Sequence, residues 1–254
     1  LRGVLVQSGN DASVALAEHV AGSESDFVEL MNRYAAELGM KPSHFTNATG
    51  VPDTKLLTTA HDLARLSRAL IKDFPDRYGL FSEREFTYNN IVQRNRNPLL
   101  KEDIGVDGLK TGHHDSAGYC LAASARRDGR RLIAVVLGAQ KPRQRADAVR
   151  TLLDYGFRFF ETATPARARV PLLNVRVWKG EQPELSLGLA HDLRLSVPRG
   201  TGGQLRLETV LTTPVLAPVA AGQIMGTLNV KLGTDIIRSE PLVSLAAVPE
   251  GGLW

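Results

Sequence analysis

Three short groups of polar residues carry side chains of the kind that move protons or bind oxyanions in catalysis. Lys110, Thr111 and Gly112 stand together at the start of a predicted hairpin. Ser8 and Asn10, in the stretch "QSGND", place a hydroxyl and a carboxamide two residues apart, and "NRNPLL" places an arginine between two asparagines. The first two groups also have an ordinary structural explanation, since lysine is common at strand ends, glycine permits bulges and a Ser-Gly-Asn trio often caps a helix.

The composition is that of a globular protein with room for a second domain. The 254 residues are 43% hydrophobic and 23% charged, and no run approaches the roughly 18–20 apolar residues of a membrane-spanning helix. The net charge of +4 and the pI of about 9.3 favour anionic surfaces or polymers. Nucleic acid is a poor fit, because aromatic residues are not interleaved with the arginines around Asp128-Gly129.

Cysteine and histidine usage argues against a disulfide framework and against a metal site. Cys120 is the only cysteine in the sequence, and its neighbours Tyr119 and Leu121 indicate a buried, inert thiol. The six histidines are scattered, and the adjacent pair His113-His114 would point to opposite faces of a strand. We read "RGTGGQ" as a turn, because no helical pattern follows its glycines. No metal and no cofactor is therefore expected.

The first part of the chain reads mostly as helix. A helix over 12–20 would be capped by Asn10 or Asp11, and a second helix would run from Ser25 to Leu38 with Gly39 as its stop. In "TTAHDLARLSRALIKDFP" leucines recur at the three- and four-residue spacing of a helix that buries one face.

Antiparallel strands and a final helix follow. Asn89-Asn90 predicts a hairpin turn, and "VDGLKTG" is the next strand. Strands at Ala117–Arg126 and Arg130–Ala139 would be joined by Asp128-Gly129, which suits the positive φ angles of a tight turn. A helix in "PRQRADAVRTLLDYGFRFFE" offers apolar residues for burial, namely Ala148, Leu152, Leu153, Tyr155 and Phe159. This order of elements predicts an α+β fold.

The composition changes near "ETATPARARVP". From Val170 onward helical periodicity is lost, and short strands alternate with turn signals such as Lys179-Gly180 and Leu232-Gly233. Such spacing indicates a small all-β sandwich or barrel. We therefore predict one domain over 1–163 and an all-β domain over 164–254.

In order and spacing, these groups resemble the serine penicillin-recognising enzymes, in which S-x-N and K-T-G motifs face each other across one cleft. The similarity is greatest to low-molecular-mass penicillin-binding proteins, the serine-type D-alanyl-D-alanine carboxypeptidases of peptidase family S11. The segments that carry it are "SGNDASVALAEHVAGS", "FVELMNRYAAELGM", "NRNPLL", "VDGLKTGH", "AGYCLAASA" and "DYGFRFFE", with the β-rich tail. The resemblance implies a penicillin-recognising α+β domain with an antiparallel sheet, followed by a small all-β domain.

This resemblance assigns three catalytic residues. Ser8 would pass a proton towards the leaving amine, and Asn10 would fix the catalytic lysine and hold the substrate backbone. Lys110 would supply positive charge, which lowers neighbouring pKa values and attracts a carboxylate. Thr111 would donate a hydrogen bond to that carboxylate as part of the substrate-binding set.

The remaining substrate-binding residues follow from the same resemblance. Gly112 would let an extended peptide lie along the strand edge, and the backbone N–H of His113 would be one oxyanion donor. Arg96 and Arg145 match basic residues near the terminal carboxylate, which a guanidinium fork suits. His114 departs from the family, where a hydroxyl residue is more usual.

The nucleophile of this family belongs to an S-x-x-K motif, and no serine of this sequence is followed three places later by lysine. In the family this motif lies well before the S-x-N loop, so the resemblance implies that it would precede Leu1 and that the catalytic domain is incomplete at its N-terminus. We expect a segment of a longer protein. The alternative is a homologue that has lost catalysis and kept a peptidoglycan-binding surface.

The resemblance implies a D-Ala-D-Ala carboxypeptidase that trims peptidoglycan stem peptides through a serine acyl-enzyme and is acylated by β-lactams. The enzymatic alternative is a class A-like β-lactamase. Beside the stem peptide and β-lactams, the implied partners are the missing N-terminal segment and the inner membrane. A C-terminal amphipathic helix, which would begin near Leu253-Trp254, would bind that membrane from the periplasm of a Gram-negative bacterium.

Overall fold

The computed structural model describes residues 1–212 and 214–252, and it divides the chain into two compact units. The first unit is Leu1–Phe157 and the second is Arg158–Trp254. The predicted domain limits of 1–163 and 164–254 stay a prediction. The predicted membrane-binding helix would begin at Leu253-Trp254, which lie outside the described residues.

Helices dominate the start of the first unit. After a short π-helical turn at Gly3–Gln7 come α1 (Asn10–Ala21), α2 (Glu24–Glu37), α3 (Ala60–Asp73) and α4 (Pro75–Tyr78), and α5 (Pro142–Phe159) follows the strands. Short polar side chains cap the N-termini of α2 and α3. Ser23 accepts from the N–H of Asp26, and Thr59 accepts from the N–H of Asp62.

The predicted cap of α1 is wrong. The helix already begins at Asn10, and Gly9 occupies the cap position with φ −70° and ψ 120°. Ser8 adopts a left-handed conformation with φ 62°, so the chain turns into the helix earlier than the residue types suggest. Asn10 is consequently a residue of the first turn, where its side chain is exposed.

The strands of the first unit form a hairpin and a three-stranded sheet. The hairpin joins β1 (Glu85–Tyr88) to β2 (Ile91–Arg94) through two asparagines with positive φ, as predicted. The sheet is antiparallel, and its strands are β3 (Val106–His114), β4 (Gly118–Arg127) and β5 (Arg130–Ala139) in the order β3-β4-β5. Asp128 and Gly129 have φ of 49° and 74°, which confirms the predicted turn. Among the described strands, β3 is therefore at an edge.

Helix α5 packs against this sheet through a face that the sequence prediction identified only in part. The buried cluster consists of Leu99, Leu121, Ala123, Ala125, Ala134, Ala146, Val149, Leu153 and Phe157. Leu152, Tyr155 and Phe159 were predicted to be buried but are 48%, 54% and 49% exposed. The buried positions on α5 recur every three or four residues from Ala146, and this phase leaves Leu152 outside the buried face.

The second unit consists of strands. β6 (Phe160–Ala166) pairs with β9 (Leu193–Pro198), and the other strands form one sheet in the order β10-β12-β13-β8-β7-β11. Their bounds are β7 Leu173–Trp178, β8 Glu184–Gly188, β10 Leu205–Leu211, β11 Val215–Leu216, β12 Ile224–Leu232 and β13 Asp235–Ser244. The fully buried side chains at its centre include Leu187, Leu228 and Leu242. The predicted α+β class with a small all-β domain is confirmed.

The glycine-rich stretch of this unit forms a turn, as predicted. Gly202–Gln204 is a short 3-10 turn, and the Glu161 carboxylate accepts from the N–H groups of Gly200 and Gly202. A carboxylate thus takes the place that an anionic ligand would need. Within 1–212 and 214–252, no helix is long and apolar enough to span a membrane, and no cluster of three metal-ligating side chains occurs.

Candidate active site

The lysine of the K-T-G group lies against the serine of the S-G-N group, although 102 residues separate them in sequence. Lys110 Nζ donates to Ser8 Oγ at 2.7 Å and to the carbonyl of Thr111 at 2.8 Å. An ammonium that touches a hydroxyl oxygen can polarise it and share a proton with it. This contact joins the loop before α1 to the edge strand β3.

The backbone before α1 directs the Ser8 hydroxyl towards β3. The Ser8 N–H donates to the carbonyl of Val4 and the Gly9 N–H to that of Gly3, which closes the π-helical turn. Val6, 1% exposed, anchors this turn in the interior. A Cβ at Gly9 would lie 2.9 Å from Asp11 Oδ1. Only the flexible end of the Asp11 side chain would have to move, and Gly9 has φ −70°, so the turn does not depend on glycine at this position.

Lys110 sits in an environment that disfavours its charge. Burial, together with the positive charges of Arg96 and Arg145, lowers the pKa of Lys110 to about 8. A lysine with this pKa can hold or release its proton near neutral pH, as proton-transfer groups must. Such shifts are common at functional sites.

Arg96 is held beside the Ser8 loop by its own backbone and side chain. Its N–H donates to the carbonyl of Val6 at 3.3 Å, and its Nε donates to the carbonyl of Gln7 at 2.7 Å. The side chain is nevertheless exposed. Because one edge of the guanidinium is fixed and the rest faces outward, Arg96 offers a positioned charge to an anionic ligand.

Two buried asparagines flank Arg96, and sequence reasoning assigned them no role. Asn95 is 8% exposed and Asn97 is 1% exposed. Asn95 Nδ2 donates to the carbonyl of Glu83, whereas Asn97 Nδ2 donates to the carbonyl of Gly108 in β3. The only sequence signal was the symmetry of "NRN" itself, which does not reveal burial or partners.

The edge strand leaves room for an extended ligand at Gly112. This residue is exposed, and a Cβ there would meet only Cys120 Cβ, at 3.8 Å. Thr111 is half-buried and His113 is exposed. Cys120, expected to be buried, is half-buried, and its thiol faces the carbonyls of Ala117 and Gly118.

Arg145 reaches this strand from the side of α5. Only 7% exposed, it donates through Nη1 to the carbonyl of Cys120 at 3.2 Å and to that of Gly112 at 3.5 Å. Its buried Nε has no hydrogen-bond partner among the described residues. Burial lowers the pKa of Arg145. The charge therefore lies beneath Gly112 and acts on Lys110 from within the protein.

Ring contacts and a histidine turn order the end of β3. The His113 ring stacks on the Tyr119 ring with centroids 3.9 Å apart. The Arg145 guanidinium lies 5.8 Å from the centroid of the Tyr119 ring. His114 Nδ1 accepts from the Ala117 N–H at 3.2 Å and lies 2.9 Å from Ser116 Oγ. A surface cavity of about 510 Å³ opens beside this end of the strand.

A polar network fixes the other end of β3. Arg131 forms a two-pronged ion pair with Asp107, with both contacts at 2.7 Å, and also donates to Ser124. Tyr78 donates to the same carboxylate, and burial raises the pKa of Tyr78 to about 12. The strand that carries Lys110 is therefore held by charged and aromatic contacts at both ends.

Of the eight residues predicted for the site, the structure brings seven together around β3. These seven residues are linked by hydrogen bonds or by neighbouring positions on β3. They are Ser8, Lys110, Thr111, Gly112, His113, Arg96 and Arg145. Asn10 follows the same loop, and its amide makes no hydrogen bond within the described part of the chain. The arrangement supplies a hydroxyl next to an amine, an exposed strand edge and two arginines.

Comparison with known proteins agrees with this arrangement. The family model described as D-alanyl-D-alanine carboxypeptidase matches residues 1–141, and that of the penicillin-binding protein 5 C-terminal domain matches 160–250. D-alanyl-D-alanine carboxypeptidase DacC of Escherichia coli is 44% identical over 100% of this chain, which spans 64% of that relative's length.

Solved structures give the same result. Penicillin-binding protein 5 of Haemophilus influenzae superposes with a TM-score of 0.94 at 39% identity, over 98% of this chain and 73% of that one. Penicillin-binding protein D2 of Listeria monocytogenes, in a cefotaxime-bound form, gives 0.58 at 34% identity over 62% of this chain and 64% of that one. This chain therefore belongs to the D-alanyl-D-alanine carboxypeptidase family, peptidase family S11.

Proposed function

We propose that the protein is a serine-type carboxypeptidase that removes the terminal D-alanine from peptidoglycan stem peptides. The observation that carries the proposal is the 2.7 Å contact between Lys110 Nζ and Ser8 Oγ beside an exposed strand edge. Amine and hydroxyl together form a proton relay, which acyl transfer needs at the leaving group. Arg96 supplies a fixed positive charge at the same place.

The reaction would proceed by two acyl transfers. A serine hydroxyl attacks the carbonyl of the penultimate D-alanine, and the bond to the terminal D-alanine breaks. The proton passes through Ser8 and Lys110 to the departing amine, and water later attacks the ester to release the shortened peptide. The attacking serine and its lysine would come from an S-x-x-K segment outside this sequence, and Asn10 would contact that lysine.

The binding roles follow the positions around β3. Thr111 and Arg96 would bind the terminal carboxylate, while the exposed edge at Gly112 would pair with the extended peptide. The backbone N–H of His113 would donate to the oxyanion, and the stacking of the His113 ring on Tyr119 would keep this residue in place. Arg145, mostly buried, would contribute its charge to the carboxylate site from beneath the strand.

The proposed partners follow from this chemistry. β-Lactams would acylate the same serine, and a cefotaxime-bound relative supports this. The protein's similarity to relatives from Escherichia coli supports the periplasm of a Gram-negative bacterium as its location. Because peptidoglycan lies outside the cytoplasmic membrane, the protein would act on the outer face of that membrane. A C-terminal amphipathic helix would provide reversible attachment there.

The direct test is release of D-alanine by the full-length protein. A synthetic stem peptide that ends in D-Ala-D-Ala is compared with the same peptide amidated at its C-terminus. Because a charge-assisted hydrogen bond contributes about 1.5–3 kcal/mol, the amide should react roughly 10- to 100-fold more slowly. Arg96→Ala should greatly reduce turnover of the free acid, with a much smaller loss of thermal stability. The same change should reduce the difference in rate between the acid and the amide.

Three results would contradict the proposal. Equal rates of D-alanine release from the acid and the amide would show that the protein does not recognise the terminal carboxylate. Rapid and repeated hydrolysis of penicillin without D-alanine release would favour a class A-like β-lactamase. Peptide binding without turnover would favour an inactive peptidoglycan-binding homologue.

A further inference from the structure

The turn that contains Arg96 touches both of the segments that meet at the candidate site. On one side, the N–H and Nε of Arg96 donate to the carbonyls of Val6 and Gln7, next to Ser8. On the other side, Asn97 Nδ2 donates to the carbonyl of Gly108 at 3.1 Å, two residues before Lys110. Adjacent residues therefore connect the serine loop to the lysine strand.

Asn97 uses both halves of its amide. Its Oδ1 accepts from the N–H of Leu99 at 3.1 Å, while Nδ2 makes the contact to Gly108. Its backbone N–H donates to Asn95 Oδ1 at 2.9 Å. With 1% of its surface exposed, the group has no water to replace a lost partner. A planar amide with both ends bound allows little movement between the turn and the strand.

Buried leucines surround this contact. Leu99, Leu100 and Leu109 are 0%, 4% and 2% exposed, so close packing surrounds the link on both sides. Arg96 Nε donates to the carbonyl of Gln7 and Lys110 Nζ donates to Ser8 Oγ, so the two cations contact adjacent residues of one loop. The charge of Arg96 accordingly lowers the pKa of Lys110. Such an interaction depends on the distance between them.

We propose that Asn97 is a positioning residue that holds Arg96 at a fixed distance from Lys110 and thereby sets the geometry in which a terminal carboxylate is recognised. The part that concerns the carboxylate rests on the proposed function. Asn97 itself is buried and touches no substrate. It acts through Arg96 and through the strand.

Asn95 provides a matched control. It is a buried asparagine in the same turn, 8% exposed, and its Nδ2 also donates to a backbone carbonyl. Its Oδ1 accepts from the Asn97 N–H, a local bond that a serine hydroxyl at position 95 can also accept, so the Asn95→Ser change leaves that bond available. That carbonyl belongs to Glu83 and not to β3. Replacing either asparagine with serine removes a buried amide, but only the change at position 97 removes the link to the lysine strand. Serine also remains a good cap for the turn that begins at Pro98.

The experiment compares Asn97→Ser with Asn95→Ser in the full-length protein, each with Arg96 present and with Arg96→Ala. Both single variants should lower Tm by similar amounts, roughly 2–10 °C. Asn97→Ser alone should raise KM for a D-Ala-D-Ala peptide about 10-fold with kcat changed less than about 3-fold. In the Arg96→Ala background, Asn97→Ser should raise KM by less than about 2-fold.

A second readout does not depend on turnover. The pKa of Lys110, followed by NMR of its ¹³C-labelled side chain, should rise in Arg96→Ala and in Asn97→Ser, because a positive neighbour is removed or displaced. It should stay at the wild-type value in Asn95→Ser. If the wild type releases no D-alanine but this pattern appears, the proposed function fails and the positioning role stands.

Two outcomes would overturn the inference. One is an unchanged Lys110 pKa in Asn97→Ser. The other is a loss of kcat/KM in Asn97→Ser that equals the loss in Asn95→Ser or persists undiminished without Arg96. Either result would make Asn97 a structural residue of the turn and no more.

Discussion

At the scale of the residue, Lys110 combines a partner that suits its charge with surroundings that oppose it. It donates to Ser8 and to the Thr111 carbonyl, yet burial and two nearby arginines lower its pKa to about 8. A protonated Lys110 attracts a carboxylate, and a proton shared with Ser8 can reach a leaving amine. One side chain can thus serve both binding and proton transfer.

The shifted pKa predicts the alkaline limb of the pH profile. The charged fraction of Lys110 falls as pH rises through about 8, so kcat/KM for a D-Ala-D-Ala peptide should decline above that pH, about tenfold per unit. Arg96→Ala should move this decline to higher pH, because removal of a positive neighbour favours the ammonium form. Steady-state kinetics of both proteins between pH 6 and 10 provide the measurement. If the loss of kcat/KM occurs at the same pH in Arg96→Ala, the group that titrates is not Lys110.

At the scale of the element, the sheet and α5 form the platform on which the candidate site rests. Val149 and Leu153 pack on the strands, and Arg145 extends from the same helix to the carbonyls below Gly112. A helix that both fills the core and supplies a charge couples the stability of this unit to its chemistry.

The phase of α5 gives a stability prediction with an adjacent control. Leu153 is 1% exposed and Leu152 is 48% exposed. Leu153→Ala should lower the free energy of unfolding by about 2–5 kcal/mol through lost burial and a cavity, whereas Leu152→Ala should lower it by less than about 1 kcal/mol. Urea denaturation followed by circular dichroism measures both. Equal losses would show that the helix packs in a different phase.

Sequence predicted the elements better than their faces and contacts. The turns at Asn89-Asn90 and Asp128-Gly129 were predictable because backbone conformation there is a local property of residue type. The burial of Leu153 instead of Leu152 was not, since neighbouring leucines fit a helical period almost equally well. The α1 cap was missed because Ser8 takes a left-handed conformation that residue type alone does not specify.

The candidate site shows the same division. The motif residues were found from their types and order, through a resemblance that the comparisons confirm at the level of the family. Asn95, Asn97, Asp107 and Tyr119 were not assigned, because their importance lies in contacts made across the fold. Nothing in a single sequence marks a buried asparagine as a link to a distant strand.

At the scale of the whole molecule, the chain combines an α+β unit that carries the candidate site with an all-β unit of the penicillin-binding protein 5 C-terminal type. All of the residues proposed for catalysis and binding lie in the first unit. We propose that these residues serve a serine acyl-enzyme, because the nucleophile of penicillin-binding proteins belongs to an S-x-x-K motif.

The most direct measurement is the intact mass of the denatured full-length protein before and after benzylpenicillin. We expect a species well above the 27.6 kDa of this chain that gains one penicilloyl adduct. Lys110→Ala should nearly abolish this acylation, while Lys72→Ala, a change at an exposed lysine of α3, should leave it intact. A full-length protein that gains no adduct would exclude the proposed serine acyl-enzyme, and a Lys110→Ala variant acylated at the normal rate would exclude the role proposed for Lys110.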